Sequence, residues 1–299
     1  MTTARRSTSL NPADHGKPAP IAPVDRVKLR RIKFEFGEPT PMVRHFANND
    51  LVFSHLIAML SMSFPPGEEL FIRSVRRYSD QIKDPALRQQ IRGFIGQEMS
   101  HGQEHRSLND KLVEIGYSTK FMNAVFKPIQ RLEDWLPSLM PLAMTAAAEH
   151  FTAILAERIL SNQEVQDMAH DPEVKNLLMW HALEEVEHKA VAFDVYKTVG
   201  GPEWLRIAMM AGMSSLAFPL IAVATLVSLV QDPDGRNPVR IARGTVATLR
   251  GPLFKGLTPP LLRYMKPGFH PSDIDNEALL AYWRAELFGA EGTLVDHLK

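Results

Sequence analysis

Two tetrapeptides, Glu98-Met99-Ser100-His101 and Glu185-Val186-Glu187-His188, each set a carboxylate three residues before an imidazole. On an α-helix those two positions share one face, so both side chains can reach a single metal ion. The companions of the first pair on that face are Ile91, Phe94 and Leu108, and those of the second are Leu177, Ala192 and Val195. These are apolar, so both pairs point inward, where a carboxylate has to be paired or metal-bound. Two further acids fit the same description. Glu68 shares a face with Phe71, Ile72 and Val75, whereas its neighbour Glu69 falls beside Arg73 and Arg76. Glu149 stands in AMTAAAEHFTAILA with no Lys or Arg within a turn.

The order is therefore Glu68, Glu98-x-x-His101, Glu149, Glu185-x-x-His188. That is the ligand order of ferritin-like di-iron and di-manganese carboxylate bundles, in which Glu149 and one partner carboxylate would bridge the ions. A metal-free network of acids and imidazoles is the competing reading, and it leaves four buried acids with few buried cations. His105 and His181 lie one turn from these pairs, on the same arcs. They are further ligands or partners hydrogen-bonded behind the ligands. Glu184 competes with Glu185 for the ligand position. Glu185 completes the Glu-x-x-His spacing, which leaves Glu184 as the candidate general base. Glu104 and Glu187 read as surface or supporting groups.

Helical patterns that would carry these residues fall at roughly 43–63, 66–82, 86–116, 138–161, 172–198, 204–231 and 274–288. Ser63-Phe64-Pro65-Pro66-Gly67 separates the first two, Asp84-Pro85 opens the third, Gly116 closes it, and Gly200-Gly201-Pro202 follows the fifth. Glu68 and Glu98 are one helix and a turn apart, as are Glu149 and Glu185. The stretch between the two pairs allows a long crossover. Ile32, Phe34 and Phe36 alternate with charged residues, which is a short strand signal. Residues 232–273 read as loop.

The chain has 299 residues, with 34 Lys plus Arg against 34 Asp plus Glu. That balance argues against a strongly basic nucleic-acid binder. There is no cysteine, which excludes disulfides, thiolate metal sites and iron–sulfur clusters. Oxygen and imidazole must hold any metal. Residues 1–25 are rich in Pro, Ser, Thr and Ala and read as a disordered lead. No apolar run follows Arg5-Arg6, so the pair does not read as an export signal. Residues 26–202 read as the di-metal helical bundle, with the helix at 43–63 as an extra element. Residues 203–299 form a C-terminal helical extension.

Within that extension, the run from Ile207 to Val230 carries no charge and is long enough to cross a bilayer. It is a membrane helix, a buried cap on the bundle or a homodimer interface. Its Met209, Met210 and Met213 are candidates to line an apolar substrate tunnel. The localisation that follows is cytoplasmic or on the cytoplasmic membrane.

The stretches FPPGEELFIRSVRRY, FIGQEMSHGQEHRSLN, AAEHFTAILAE and WHALEEVEHKAVAFDVYK, with the later PGFHPSD, resemble a bacterial family named predicted metal-dependent hydrolases. The resemblance spans roughly residues 27–288. It implies a metal site at Glu68, Glu98, His101, Glu149, Glu185 and His188, with His105 and His181 also matching, and its name implies hydrolysis.

The expected fold is mostly α, a ferritin-like four-helix bundle with added N- and C-terminal segments. The expected function is that of a di-metal enzyme with two ions, iron first and manganese or zinc as alternatives. Oxygen-dependent oxidation of a small hydrophobic substrate leads, because apolar faces flank the acids. The alternatives are hydrolysis by a metal-bound water and a non-catalytic iron-binding or membrane-linked role.

Overall fold

The structure, a computed structural model, describes residues 27–133 and 135–299. The expected disordered lead at 1–25 lies outside the described residues. The helices are α1 (Leu51–Arg76), α2 (Pro85–Glu114), α3 (Lys120–Glu133), α4 (Leu139–Ser161), α5 (Gln163–Met168), α6 (Pro172–His188), α7 (Val191–Thr198), α8 (Glu203–Gln231), α9 (Pro238–Arg250), α10 (Thr258–Tyr264) and α11 (Glu277–Phe288). The protein is mostly helical, and no strand forms among the described residues.

Local chemistry sets many of the starts. Asp50 caps α1 by accepting from the Phe53 N–H. Asp84, Asp171 and Asn237 do the same for α2, α6 and α9, each followed by a proline in the first turn. A side-chain acceptor supplies one orphan N–H, and the proline has no N–H to lose there.

Four of these helices pack in a closed ring: α1 against α2, α2 against α6, α6 against α4, and α4 against α1. The acids and histidines singled out above lie on the inner faces of that ring. Apolar clusters fill the space on either side of them. One gathers Trp180, Leu183, Leu108 and Leu112, the other Phe94, Val75, Ala146 and Val195. The C-terminal helices fold back on the ring, α8 against α1 and α4, α10 against α4, and α11 against α6 and α4.

Several expectations are corrected. The break at Pro65-Pro66 does not occur, and α1 runs straight through both prolines. Pro65 has no N–H to give the Ser61 carbonyl, but the Asn109 side chain on α2 donates to that carbonyl at 3.2 Å. The helical pattern at 43–50 resolves into turns before the Asp50 cap. The segment expected at 172–198 is two helices, α6 and α7, with a break at Lys189 and Ala190. α9 and α10 fall where the sequence reads as loop, and α3 lies in the crossover stretch between the helices expected at 86–116 and 138–161. Ile32, Phe34 and Phe36 are buried in alternation, as an extended segment requires. Their only ladder partner among the described residues is the chain end, through one bridge between Ile32 and Leu298.

The end of α8 is tied to α1 by a buried carboxylate. Asp232 accepts from Arg44 at 2.6 Å and sits 3.1 Å from His55 Nε2. Burial disfavours the Asp232 carboxylate. The Asp234 backbone N–H and the Arg44, His55 and His45 side chains overcome this and hold it well below the usual range. The opposite face of α8 is exposed. Trp204, Ala208, Ala211, Ser215, Pro219, Ala222, Leu226 and Val230 recur at helical spacing and are solvent-facing without one charge among them.

Candidate metal centre

Each of the eight expected metal residues is buried, and the ring brings all of them together. α1 supplies Glu68. α2 supplies Glu98, His101 and His105. α4 supplies Glu149, and α6 supplies His181, Glu185 and His188. Donor atoms fall into overlapping groups within 4.8 Å of one another: Glu68 with Glu98 and His101, Glu68 with His105 and His181, Glu98 with Glu149 and His188, and His101 with His181 and Glu185. Gly102 makes room for this. A Cβ there would stand 2.9 Å from Glu68 Oε2.

The surrounding hydrogen bonds fix which ring nitrogen of each histidine faces inward. Glu184 can only accept, so His101 donates to it from Nε2 at 3.1 Å and turns Nδ1 to the acids. Gln97 donates from Nε2 to Glu187 at 3.0 Å and to the Lys28 carbonyl. Its oxygen therefore accepts from His188 Nδ1 at 3.0 Å. His188 Nε2 is left 3.0 Å from Glu149 Oε2 and 3.1 Å from Glu98 Oε1.

The third chain begins at Asn109, which must donate to the Ser61 carbonyl and so accepts the Ser61 hydroxyl proton at 2.7 Å. Ser61 Oγ then accepts from His105 Nδ1 at 2.9 Å, and His105 Nε2 accepts from His181 Nδ1 at 2.7 Å. His181 Nε2 is left facing Glu185 Oε1 at 2.9 Å and Glu68 Oε1 at 3.9 Å. Both ring nitrogens of His105 are thereby engaged, which places it behind His181.

Three imidazole nitrogens and four carboxylates thus converge. Both oxygens of Glu68, Glu98 and Glu149, Oε2 of Glu185, Nδ1 of His101 and Nε2 of His188 have no hydrogen-bond partner among the described residues. Orphaned buried atoms of this kind are costly, and a cation at their centre satisfies them together. The donor set, carboxylate oxygen and neutral imidazole held by outward hydrogen bonds, fits a metal.

Electrostatics give the same picture. Burial, then the neighbouring carboxylates Glu185 and Glu149 respectively, push Glu68 and Glu98 well above the usual carboxylate range. Glu149 is pushed up to about 7 by burial, against the pull of His188. His188 is driven up by Glu149 and Glu185 despite burial, and Glu185 is held down by His188 and His181 despite burial. Protons stand in for the missing positive charge, and metal binding would release them.

Glu184, the expected free base, has no free oxygen. One accepts from Arg30 at 2.9 Å and the other from His101. Its place is behind His101. Glu187 is buried with it and takes Arg30, Gln97 and Arg284. Glu104, expected at the surface or in support, is also buried, accepting from the Phe34 N–H. Glu149, expected to bridge, joins one donor group, with Glu98 and His188, whereas Glu68 and Glu98 each join two.

The sequence reading missed Arg30, Gln97, Ser61 and Asn109. Gln97 had a usable signal in its position immediately before Glu98, one turn from His101. Arg30 had none, because its partners lie 154 and 157 residues away.

A cavity of about 520 Å³ opens onto the cluster between α1, α3, α4, α6 and α8. Its walls are almost wholly apolar, and Ser61, His105, His181 and Glu185 line it as a hydrogen-bonded row. Of the three methionines expected at a tunnel, Met209 and Met213 line it, and Met210 is buried in the core.

No curated protein and no solved structure matches this chain. A protein family described as predicted metal-dependent hydrolase matches over residues 28–275. This span holds every residue of the centre and most of the sequence, so the chain belongs to the family of predicted metal-dependent hydrolases.

Proposed function

We propose that the protein is a hydrolase with two metal ions, built on a ferritin-like four-helix bundle formed by α1, α2, α4 and α6. The observation that carries this reading is the convergence of orphaned atoms from four carboxylates and two of the imidazoles in a buried ring. Glu98 belongs to two donor groups, and Glu185 Oε1 lies 2.9 Å from His181, 3.7 Å from His101 and 3.5 Å from His188. Glu68, Glu98, Glu149 and Glu185 with His101, His181 and His188 would hold the ions. The oxygen-rich set suits iron or manganese, with zinc also served by the imidazoles.

Such ions, when bound, supply a water of lowered pKa and polarise the carbonyl of an ester or amide. The chain's own residues do the rest. Glu184 and Gln97 hold His101 and His188 in the required tautomers. The row from Ser61 through His105 holds His181 in its tautomer in the same way. The apolar cavity wall binds the rest of the substrate.

The test is elemental analysis of protein loaded with iron, manganese or zinc, followed by ester cleavage with each metal. About two ions per chain and metal-dependent cleavage lost in Glu98→Gln are expected. Oxygen-dependent oxidation is the second reading, favoured by the water-excluding walls beside the cluster. Rapid oxygen consumption by the reduced iron form, with no ester cleavage under any metal, would establish it instead.

For its setting, we propose that the protein lies on an anionic membrane surface. α8 is long and apolar enough to cross a bilayer, but Leu205, Met210, Ala224 and Leu229 bury one side of it in the protein. Its exposed uncharged stripe adjoins α3, where Lys127 and Arg131 are exposed beside Ile129 and Leu132. Apolar area bounded by basic residues suits a helix lying in the headgroup layer.

A further inference from the structure

We propose that the cavity beside the metal centre binds a neutral, linear hydrocarbon-chain ester whose reacting bond lies inside the chain, with apolar arms on both sides. The reacting bond rests on the proposed hydrolysis; the binding of the chain does not.

On α4 the wall runs from Met144 to Ile159, about 22 Å at 1.5 Å per residue. On α1 it runs from Phe53 to Phe71. Ser61, which starts the polar row, stands about 12 Å along α1 from the first and about 15 Å from the second. The polar row therefore opens on the flank of a long apolar channel. A ligand with a single tail and a charged head would need a polar or cationic end wall. Among the described residues the one lysine on the wall, Lys175, ends 3.3 Å from Asp167, and no Arg lines the channel. A carboxylate or phosphate head has no cation waiting beside the polar row, whereas an uncharged ester needs none.

The channel also has a way in. Leu216 on α8 and Ile129 on α3 both line it and are both exposed, at 72% and 37%. A chain can enter between α3 and α8, beside the uncharged stripe of α8. Burying methylenes there contributes roughly 0.8 kcal/mol each, which favours a long chain over a short one.

Gly212 gives a way to test this. It lines the channel, and a Cβ built on it meets nothing within 4 Å. Gly212→Phe would fill the channel without touching a ligand, and Ala217→Trp, also on the wall, does so one turn and a half further along. The probe is a fluorescent polyene acyl ester of a long-chain alcohol, titrated into metal-free full-length protein, with the corresponding free fatty acid as comparison. The neutral ester should bind, at least roughly 10-fold more tightly than the acid. Both bulky variants should lose at least roughly 10-fold, with Gly212→Ala near wild type and metal content unchanged in all three.

Ester binding that is absent, weaker than that of the acid, or indifferent to both bulky variants would overturn the assignment. Metal content and short-chain ester cleavage are measured on metal-loaded samples of the same proteins. Chain binding without cleavage would sink the hydrolytic reading alone. Cleavage without chain binding would sink this inference alone.

Discussion

Asn109 grips Ser61 at two points: its Nδ2 donates to the Ser61 carbonyl at 3.2 Å, and its Oδ1 accepts from the Ser61 hydroxyl at 2.7 Å. The first bond repairs the gap that Pro65 makes in α1. The second sets the direction of every hydrogen bond from Ser61 through His105 to His181. One side chain thus links the continuity of a helix to the tautomer of a proposed ligand. Asn109→Ala should leave a buried carbonyl and hydroxyl unsatisfied, costing about 1–3 kcal/mol in urea unfolding. It should also weaken metal binding roughly 10–100-fold. A stability loss with unchanged metal affinity in a titration would detach His181 from the metal.

The ligand set itself is tested by changing Glu98 and His101 together to Ala. Glu98 is shared between two donor groups, and His101 belongs to two, so this change should reduce bound metal from about two ions per chain, as the bundle pattern implies, to none. Far-ultraviolet circular dichroism checks that the helices persist. Metal retained at the wild-type level in a folded double variant would refute the centre.

Glu184→Gln separates a base from a positioning group. Tied to Arg30 and His101, Glu184 orients the imidazole, and its loss should cost roughly 10–100-fold in metal affinity. Activity restored by excess metal, with the pH profile unmoved, is the expected result. Activity that stays abolished at saturating metal, with the basic limb of the pH profile lost, would return Glu184 to the role of base.

The site was legible from sequence where its signal was local. Glu-x-x-His sets a carboxylate and an imidazole on one face within a single helix turn, and apolar companions mark the inner side. Helices with an Asx-Pro start were legible for the same reason. The failures are non-local. The run through Pro65 depends on Asn109, 48 residues away. The expected strand at Ile32, Phe34 and Phe36 had the right alternation, but a strand also needs a partner, and the chain end offers only one bridge. Glu184 looked free because Arg30 is far away in sequence and close in space. α3 is a different case: Phe121, Met122, Val125, Phe126, Ile129 and Leu132 recur at helical spacing, and Pro128 inside the pattern hid it.

The clamp between α1 and the end of α8 should make stability depend on pH. Burial lowers the His55 pKa to about 4, although Asp232 pulls the other way. A folded-state value below the unfolded one means that the unfolded chain binds more protons between about 6.5 and 4. Stability contributed by neutral His55 is therefore present above that window and lost as pH falls through it. The depressed Asp232 carboxylate adds a further loss at lower pH, in the same direction. His55→Gln should flatten the decline in urea midpoint between pH 6.5 and 4 relative to wild type. Parallel curves for the two proteins would remove His55 as the source.

The last prediction concerns the exposed stripe of α8. A soluble helix normally alternates an apolar face with a charged one, yet here the solvent-facing side carries Trp204, Leu216, Leu226 and Val230, all more than half exposed, and no charge. α3 beside it adds Leu132 at 56%, and Trp135 follows at 85%. Contiguous exposed apolar area of this kind calls for a covering surface. A bilayer fits because Lys127 and Arg131 on α3 bring positive charge to its edge, as an amphipathic helix on anionic lipid does. The other side of α8 is committed to α1 and α4, so contact should be peripheral and not spanning. Wild-type protein should sediment with vesicles containing phosphatidylserine, less with neutral vesicles, and be released by a carbonate wash. Leu216→Glu with Leu226→Glu should abolish sedimentation while leaving metal content intact. Protein that ignores both kinds of vesicle and forms a dimer dissolved by the same two changes would show that a second copy of the chain, not lipid, covers the stripe.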